Sequence, residues 1–328
     1  MGVGARRAPG ATAQDTGSTG NSREGYNLRM FPDELRRKFI EVYGEDGRAW
    51  SDAFPALLER VTRRWGLTLG EGFSYVGYAY VVRAELPDRT PAVLKLAPPD
   101  KEQVSELAAL RHYGGDGICR LIDGDDSEVS LLLERLEPGT TLAELDDDVA
   151  ATGIAANVMT KLFKPLSAGH GFVSLERWGE AFRRVRERYD GGCGAFPAEL
   201  FEPAAELWAD LCATQGEQVL LHGDLHHYNI LRAAREPWLA IDPKGLAGER
   251  AYEIGPYLYN KIEGVADMRS YTLRRIDQFS DILGIDRQRL IAWGFAQAVL
   301  SRLWNFEDTG VVDESDHLRV ARALLPEL

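Results

Sequence analysis

Hydrophobic residues recur at helical spacing near the start of the chain and at strand spacing after it. A helical pattern covers 32–65 and ends at Gly66, a residue type that commonly terminates helices. The next elements are predicted in the order strand 78–86, strand 92–97, helix 101–113, strand 119–123 and strand 129–136. Turn residues at 123–126 favour a hairpin between the last two strands. This part of the chain is therefore predicted to form a small antiparallel sheet with one helix.

From residue 141 onward the pattern is mainly helical. Helices are predicted at four places, 175–189, 197–214, 268–283 and 286–306. One short hairpin interrupts them, with strands at 230–231 and 238–241. The predicted fold class is therefore α+β, with a sheet-rich N-lobe followed by a larger, mainly helical C-lobe.

Three regions follow from this pattern. Residues 1–25 are rich in Gly, Ala, Ser and Thr and are predicted to be a disordered tail without a role in the fold. Residues 26–136 are expected to form the N-lobe, a helical lead-in followed by the sheet, and residues 137–328 the helical C-lobe. A chain of 328 residues suffices for two lobes, and 45% hydrophobic with 27% charged residues is typical of a globular protein.

Composition limits the environment and the partners. No run of 18 apolar residues exists, and no apolar stretch follows Arg6 and Arg7, so neither a membrane span nor a signal peptide is expected. The cysteines, Cys119, Cys193 and Cys212, form no CxxC pair, which argues against a zinc site and indicates a reducing cytoplasm. The net charge of −13 argues against nucleic-acid binding and is compatible with a cationic substrate.

The strongest chemical signal is the segment His222-Gly-Asp-Leu-His-His-Tyr-Asn229, which follows a strand-like run at 218–221. The hairpin after it returns the chain to Asp242, so the side chains of Asp224, Asn229 and Asp242 are expected to meet. Phosphoryl transfer needs a carboxylate that positions a hydroxyl and takes its proton, and oxygen ligands that hold Mg2+ on the phosphates. Asp224 is therefore predicted to be the base, and Asn229 and Asp242 the magnesium ligands.

Each of these residues has an ordinary alternative when it is taken alone. Asp224 would then cap a helix, Asn229 would lie in a turn, and Asp242 would be a surface acid. Their spacing around one hairpin favours the catalytic interpretation.

The pattern His-Gly-Asp-Leu-His-x-x-Asn, followed by Ile-Asp-Pro, resembles the aminoglycoside phosphotransferases and related small-molecule kinases. The resemblance implies a protein-kinase-like, two-lobed fold, ATP and Mg2+ as cofactors, and transfer of the γ-phosphate to the hydroxyl group of a small molecule. It also implies that His222 orients the loop and that Glu253 braces it.

The same resemblance implies further parts of a nucleotide site. Lys95 is expected to face the phosphates from the middle of a strand, with Glu106 as its partner and Glu102 as the alternative. In the segment that resembles the kinase hinge, the carbonyl of Glu134 and the amide of Leu136 are expected to bind adenine.

The loop expected to cover the phosphates is atypical. Residues 70–77 stand in the right place but lack the GxGxxG pattern. Ser74, with Phe73 and Tyr75, is expected near the phosphates, and a plain turn is the alternative. Lys244 is expected to reach either phosphate or solvent.

Several segments resemble the branch of streptomycin 6-phosphotransferases and hydroxyurea kinases, notably 64–68, 132–142 and 242–245. The acceptor is therefore predicted to be streptomycin or a related aminoglycoside, with antibiotic resistance as the role. A metabolic or hydroxyurea-type kinase is the alternative. A nucleotide-binding pseudokinase is disfavoured because Lys95, Asp224, Asn229 and Asp242 are all present.

The acceptor site is predicted to lie in the helical lobe. Tyr228 stands where the family often has glycine, so it is expected to narrow this site. Trp304 and Glu307, with the neighbouring Asn305 and Asp308, are predicted to line it. The alternatives are a core position for Trp304 and a solvated helix end for the acidic residues.

Overall fold

The computed structural model of the protein describes residues 31–73 and 78–328. The chain divides into two compact units. The first runs to Leu107 and adds Cys119–Arg135, and the second comprises Ala108–Ile118 and Leu136–Leu328.

A long helix, α1 (Asp33–Trp65), begins the described part of the first unit. Gly44 interrupts it with φ 62° and ψ −133°, so the helix consists of two segments. It ends at Gly66, which has the left-handed φ of 63° and donates its N–H to the carbonyl oxygen of Arg63. The predicted helix stop at Gly66 is therefore confirmed.

A five-stranded antiparallel sheet and one further helix complete the first unit. The strands are β1 (Thr68–Gly72), β2 (Tyr80–Glu85), β3 (Pro91–Leu96), β4 (Leu121–Asp125) and β5 (Ser130–Glu134). Their order in the sheet is β1-β2-β3-β5-β4. Helix α2 (Lys101–Tyr113) follows β3 with the predicted bounds, and its last turns belong to the second unit.

The hydrophobic pattern misses β1 and misplaces β4. Strand β1 is exposed at four of its five positions, so it has no apolar face for a periodic pattern to reveal. Strand β4 continues to Asp125, through most of the predicted turn at 123–126. The cause is a bulge between Leu121 and Asp123, which shifts the pairing with β5 and moves the turn to 126–129.

Aromatic side chains pack α1 against the sheet. Phe39 and Phe54 are fully buried, and the ring of Trp50 lies 5.3 and 5.5 Å from theirs, centroid to centroid. Phe54 also contacts Tyr80 of β2 at 4.7 Å. Edge-to-face aromatic pairs add to the large apolar area that these rings bury, so the helix is an integral part of the unit.

The second unit is mainly helical. Its helices are α3 (Asp148–Leu162), α4 (Leu175–Trp178), α5 (Glu180–Arg188), α6 (Ala198–Ala213), α7 (Gly255–Leu258), α8 (Met268–Leu283), α9 (Arg287–Thr309) and α10 (Asp316–Leu324). Helix α9 supplies much of the core through buried residues such as Trp293 and Phe295. Within the described ranges, no helix is long and apolar enough to cross a membrane.

Short strands of the second unit form two small sheets. The strands are β6 (Pro138–Thr141), β7 (Lys164–Pro165), β8 (Val173–Ser174), β9 (Gln218–Leu221), β10 (Ile230–Ala233), β11 (Trp238–Ala240) and β12 (Leu246–Glu249). One sheet has the order β11-β10-β6 and the other β7-β9-β12-β8. The predicted hairpin is therefore confirmed as β10 and β11.

Three of the four helices predicted in the second unit are confirmed. Helix α8 has the predicted bounds, and α6 and α9 differ from theirs by one to three residues. The predicted helix 175–189 is divided at Gly179, where the main chain approaches the indole of Trp208 so closely that a Cβ would lie 2.1 Å from its nitrogen. Helices α3, α7 and α10 are not predicted.

Gly47→Ala is expected to destabilise the protein, although alanine favours a helix over glycine by about 1 kcal/mol. A Cβ at position 47 would lie 2.1 Å from the carbonyl oxygen of Phe39, a main-chain atom that cannot move without separating the two segments of α1. The expected loss of unfolding free energy, measured by urea denaturation, is about 1–3 kcal/mol.

The matched control is Gly153→Ala in α3. Its nearest neighbour is the flexible side-chain nitrogen of Gln278 at 3.2 Å, so little loss is expected. Equal or greater stability of Gly47→Ala relative to wild type would contradict the packing described for α1.

Candidate active site

Strand β9 and the β10–β11 hairpin bring the predicted catalytic residues together. His222 follows β9, and its Nε2–H donates to the carbonyl oxygen of Ile241 at 2.8 Å. The N–H of Ile241 donates to the carbonyl oxygen of Asn229 at 3.0 Å. Asp242, the next residue, is therefore held beside the loop 222–229, which carries Asp224.

The side-chain amide of Asn229 has a defined orientation. Its Nδ2 donates to the main-chain carbonyl oxygen of Asp224 at 2.9 Å, and the side chain is buried. Because the nitrogen is engaged in this way, the amide oxygen is the atom that Asn229 can present to a cation.

Asp242 has a strained main chain. Its φ is 65°, in the left-handed region that residues other than glycine rarely adopt, and the following Pro243 restricts it further. Such strain persists only where the surroundings hold the residue, and it is concentrated at functional sites. This observation supports a functional role for Asp242, and no sequence pattern reveals it.

A buried carboxyl group braces the start of the loop 222–229. Glu253 accepts the N–H of His222 at 2.7 Å with one oxygen and the N–H of Gly223 at 2.9 Å with the other. Burial raises the pKa of Glu253 to about 8, although the two hydrogen bonds favour its ionised form. These contacts match the bracing role expected of Glu253.

The histidines of the loop 222–229 are neutral at pH 7. Burial lowers the pKa of His222 to about 4, and its Nδ1 accepts the N–H of Asp224 at 3.3 Å. Burial also lowers the pKa of His226, and it lowers that of His227 well below the usual value. The Nε2 of His226 lies 3.9 Å from a carboxylate oxygen of Asp224. These rings therefore serve to position the loop rather than to carry charge.

In the first unit, Lys95 of β3 forms a buried ion pair with Glu106 of α2. The ammonium nitrogen lies 2.7 Å from both carboxylate oxygens, and the side chains are 11% and 6% exposed. Removing either charge would leave the other buried and uncompensated, which typically costs about 3–5 kcal/mol. Glu106 is thus a partner of Lys95, and the role of the pair toward a nucleotide stays a prediction.

Comparison with known proteins identifies the family. Residues 72–309 match the model of the aminoglycoside/hydroxyurea antibiotic resistance kinases. The chain belongs to this family. It is 35% identical over 305 residues to a streptomycin 6-kinase from Streptomyces glaucescens, covering 90% of this chain and 97% of that protein. It is also 34% identical over 297 residues to a hydroxyurea phosphotransferase from Kitasatospora aureofaciens, covering 90% and 85% respectively.

Solved structures share the fold of this kinase. The aminoglycoside phosphotransferase APH(4)-Ia, in a complex with ADP and hygromycin B, gives a TM-score of 0.55 at 15% identity, covering 81% of this chain and 94% of that one. A choline kinase from Streptococcus pneumoniae gives 0.57 at 14% identity, covering 85% and 100%. The expected α+β, protein-kinase-like fold is therefore confirmed.

Three further residues of this kinase are predicted to contact the nucleotide. Glu134 ends β5, and its carboxylate accepts the N–H of Arg120 at 2.9 Å. Leu136 is buried and is the first residue of the second unit's longer segment. Ser74 lies outside the described residues. The roles of Glu134 and Leu136 toward adenine stay predictions.

Glu307, predicted to line the acceptor site, is already paired. Arg184 of α5 donates two hydrogen bonds to its carboxylate, both at 2.7 Å, and the contact raises the pKa of Arg184. Arg188 donates to the main-chain carbonyl oxygen of Glu307 at 2.9 Å. A cationic acceptor would have to compete with Arg184 for this carboxylate, so substrate binding by Glu307 stays a prediction.

The aromatic residues predicted at the acceptor site pack edge-on against other rings. Trp304 lies 5.4 Å from Trp178, whose indole N–H donates to the hydroxyl of Tyr252 at 2.7 Å. Tyr228 lies 6.0 Å from His226, within the loop 222–229. Both are half-buried, and their roles toward an acceptor also stay predictions.

One buried residue that contacts the loop 222–229 is not predicted. Arg275 of α8 is fully buried and lies 3.4 Å from the Nε2 of His227. A sequence signal for it exists, because Arg275 stands on the same helical face as the buried Thr272 and Phe279. An arginine in such an apolar stripe requires a buried partner.

The Glu253 carboxyl group is expected to make this kinase less stable as the pH rises. A glutamate in an unfolded chain has a pKa of about 4.3, whereas that of Glu253 is about 8. Between these two pH values, unfolding releases a proton from Glu253. The stability that the protonated carboxyl group contributes is therefore complete below the unfolded pKa, and it is lost as the pH rises through about 8. The measurement is unfolding free energy by urea denaturation across this range, for wild type and Glu253→Gln.

The Glu253→Gln variant cannot titrate here, so the wild type should lose stability relative to it with rising pH. Glu263→Gln, at an exposed position, is the control and should follow the wild type. A difference between wild type and Glu253→Gln that does not change with pH would show that Glu253 is ionised in the fold throughout.

Proposed function

We propose that this kinase transfers the γ-phosphate of ATP to a hydroxyl group of streptomycin or a related aminoglycoside, and so confers antibiotic resistance. The observation that carries the proposal is the similarity to two streptomycin 6-kinases. The relatives from Streptomyces glaucescens and Streptomyces griseus are 35% and 36% identical and match 90% and 89% of this chain.

In this proposal Asp224 is the catalytic base. The contacts of His222 and Glu253 fix the main chain on which its carboxylate stands. The acceptor hydroxyl would donate a hydrogen bond to Asp224 and attack the γ-phosphorus in line. The new oxygen–phosphorus bond forms as the bond to the leaving ADP breaks, and the proton of the hydroxyl passes to Asp224.

Asn229 and Asp242 fit a magnesium ion. An amide oxygen and a carboxylate are the hard ligands that Mg2+ prefers, and the orientation of the Asn229 amide leaves its oxygen for this purpose. Among residues 31–73 and 78–328, no group of three or more His, Cys, Asp or Glu side chains can hold a metal. Phosphate oxygens and water would therefore complete the coordination, and the bound ion would neutralise charge on the phosphates.

Lys95 is proposed to bind the phosphates of ATP from β3. An ammonium group has three donors, so a contact with phosphate is compatible with its pair to Glu106. The pair also holds the flexible lysine in one orientation, which lowers the entropy lost when the nucleotide binds.

A hydroxyurea-type acceptor is the alternative, favoured by the 34% identity to a hydroxyurea phosphotransferase. The two acceptors differ in charge, because streptomycin carries guanidinium groups that carboxylates bind with paired hydrogen bonds. The net charge of −13 favours the cationic acceptor.

Asp224→Asn is expected to lower kcat by about three orders of magnitude or more, because the amide cannot take the proton of the hydroxyl. ADP release is measured with ATP, Mg2+ and each of streptomycin, kanamycin, hydroxyurea, homoserine and choline. Nucleotide affinity, measured by calorimetry, should change little. The matched control is Asp281→Asn, at an exposed position of α8.

ADP release with streptomycin that is lost in Asp224→Asn and kept in Asp281→Asn supports streptomycin as the acceptor and Asp224 as the base. Release with hydroxyurea in its place moves the acceptor to the alternative. Undiminished turnover in Asp224→Asn would refute the role of Asp224.

Asp242→Ala is expected to abolish the effect of Mg2+ on nucleotide affinity, since a carboxylate ligand of the ion is lost. Calorimetric titration of ADP with and without Mg2+ measures this effect. Asp281→Ala is the control. Equal enhancement by Mg2+ in Asp242→Ala and wild type would rule out Asp242 as a ligand.

A further inference from the structure

Arg275 is held in the interior of the second unit by an ion pair and by main-chain oxygens. Its side chain is 0% exposed. Its Nε and one terminal nitrogen donate to the carboxylate of Asp148, with a shortest distance of 2.5 Å. Its other terminal nitrogen donates to the carbonyl oxygens of Tyr257, Leu258 and Asn260.

The same guanidinium group reaches the loop 222–229 at His227. The terminal nitrogen that binds Asp148 also lies 3.4 Å from Nε2 of His227. This nitrogen also donates to the hydroxyl of Tyr271 at 2.9 Å, so the contact with Nε2 is one of its longer ones. Because a guanidinium group offers only donors, a proton on Nε2 of His227 would point at it without an acceptor. The contact therefore favours the tautomer of His227 that is protonated at Nδ1, although the buried Nδ1 has no hydrogen-bond partner among the described residues.

The ring of His227 is held on a second side by Tyr257. The two rings are stacked, with centroids 3.9 Å apart and an interplanar angle of 23°. The hydroxyl of Tyr257 lies 3.2 Å from that of Thr152 in α3, and its main-chain carbonyl is bound by Arg275. Arg275 therefore holds His227 both directly and through Tyr257, whose ring stacks on that of His227.

His227 lies between two residues on which the proposed reaction depends. It follows Asp224 by three positions and begins a 3-10 turn, His227–Asn229. Because Asn229 closes this turn and binds the carbonyl oxygen of Asp224, a displaced His227 would move both residues.

A purely structural role does not account well for this arrangement. Burying a guanidinium group costs several kcal/mol before its partners offset it, and apolar residues often serve stability as well or better. Burial would raise the pKa of Asp148, but the hydrogen bonds and charge of Arg275 outweigh it and lower the pKa to about 2. Arg275 and Asp148 are therefore both ionised. The remaining N–H groups of Arg275 point at the segment 257–260 and at His227.

We propose that Arg275 is a positioning residue for phosphoryl transfer, which with Asp148 as its counter-ion fixes the tautomer and position of His227 and so the geometry between Asp224 and Asn229. The inference rests on the proposed function of the loop 222–229. Arg275 acts through His227 and touches neither reacting group.

The first test is steady-state kinetics of Arg275→Lys and His227→Gln. Lysine keeps the charge but lacks the planar fork that binds several acceptors at once. Both variants should lose about 10- to 100-fold in kcat, because small displacements of catalytic groups cost this much. The KM values should stay within about threefold, since substrate contacts are not removed. The kcat of the double variant should be no lower than that of the slower single variant, because both substitutions act through His227.

Arg289→Lys on α9 is the matched control. Arg289 also pairs with a partly buried carboxylate, that of Glu249 at 2.6 Å, and donates to the carbonyl oxygens of Leu211 and Thr214, away from the loop 222–229. It should lower the melting temperature and leave kcat unchanged. Normal kcat in Arg275→Lys, or an equal loss of kcat in Arg289→Lys, would overturn the positioning role.

The second test reads the tautomer without turnover. Two-bond nitrogen–proton NMR spectra of 15N-histidine protein, assigned among the six histidines with His227→Gln, should show His227 protonated at Nδ1. In Arg275→Lys this signal should shift toward a mixture of tautomers. Protonation of His227 at Nε2 in the wild type would overturn the inference.

The two tests separate failure of the inference from failure of the proposed function. A wild type that transfers no phosphate to any acceptor refutes the proposed function. The NMR measurement of the His227 tautomer then still shows whether Arg275 contacts this ring. If Arg275→Lys does not fold, His227→Gln and the wild-type spectrum decide it.

Discussion

The hydrogen bonds from the main chain of His222 and Gly223 to the buried carboxyl group of Glu253 determine the conformation of the loop on which the site depends. Leaving either buried N–H unsatisfied would cost about 1–3 kcal/mol. From this anchor the His222 ring binds the carbonyl of Ile241, and the N–H of Ile241 binds Asn229. One chain of hydrogen bonds therefore connects the brace to the end of the hairpin, and the proposed ligands are positioned by main-chain geometry rather than by flexible side chains.

Sequence reasoning succeeds where the chemistry is local. The hairpin β10–β11 and the helix α8 follow from apolar runs with clear ends, and Lys95 is conspicuous because a charge in the middle of an apolar strand needs a partner. It fails for β1, which is largely exposed, and for α3, whose small side chains such as Ala151 and Ala155 form a weak stripe. Strand β1 is held by main-chain pairing with β2, and α3 by packing against α8, so neither element needs a strong apolar pattern of its own.

Contacts between distant segments cannot be read from the sequence. Arg184 and Glu307 are separated by 123 positions, so the pairing that neutralises the predicted acceptor carboxylate is visible only in the fold. The positive φ of Asp242 likewise results from the hydrogen bonds on both sides of it, since an aspartate before a proline has no local reason to adopt it. Arg275 is the intermediate case, because its place in an apolar stripe signals a buried partner without identifying Asp148.

The electrostatics of the loop 222–229 constrain what the site can bind. Its histidines are neutral, because burial lowers the pKa of all three. Arg275 is paired with Asp148, a carboxylate that Arg274 also contacts. Besides burial, the carboxylates of Asp224 and Asp242 and the ammonium group of Lys244 act on the ring of His226: the carboxylates raise the pKa of the imidazole, and Lys244 lowers it. Carboxylates repel the phosphates of a nucleotide and attract cations, so the proposed reaction at this loop requires a divalent cation between Asp242 and ATP, and the same charges favour the proposed cationic acceptor.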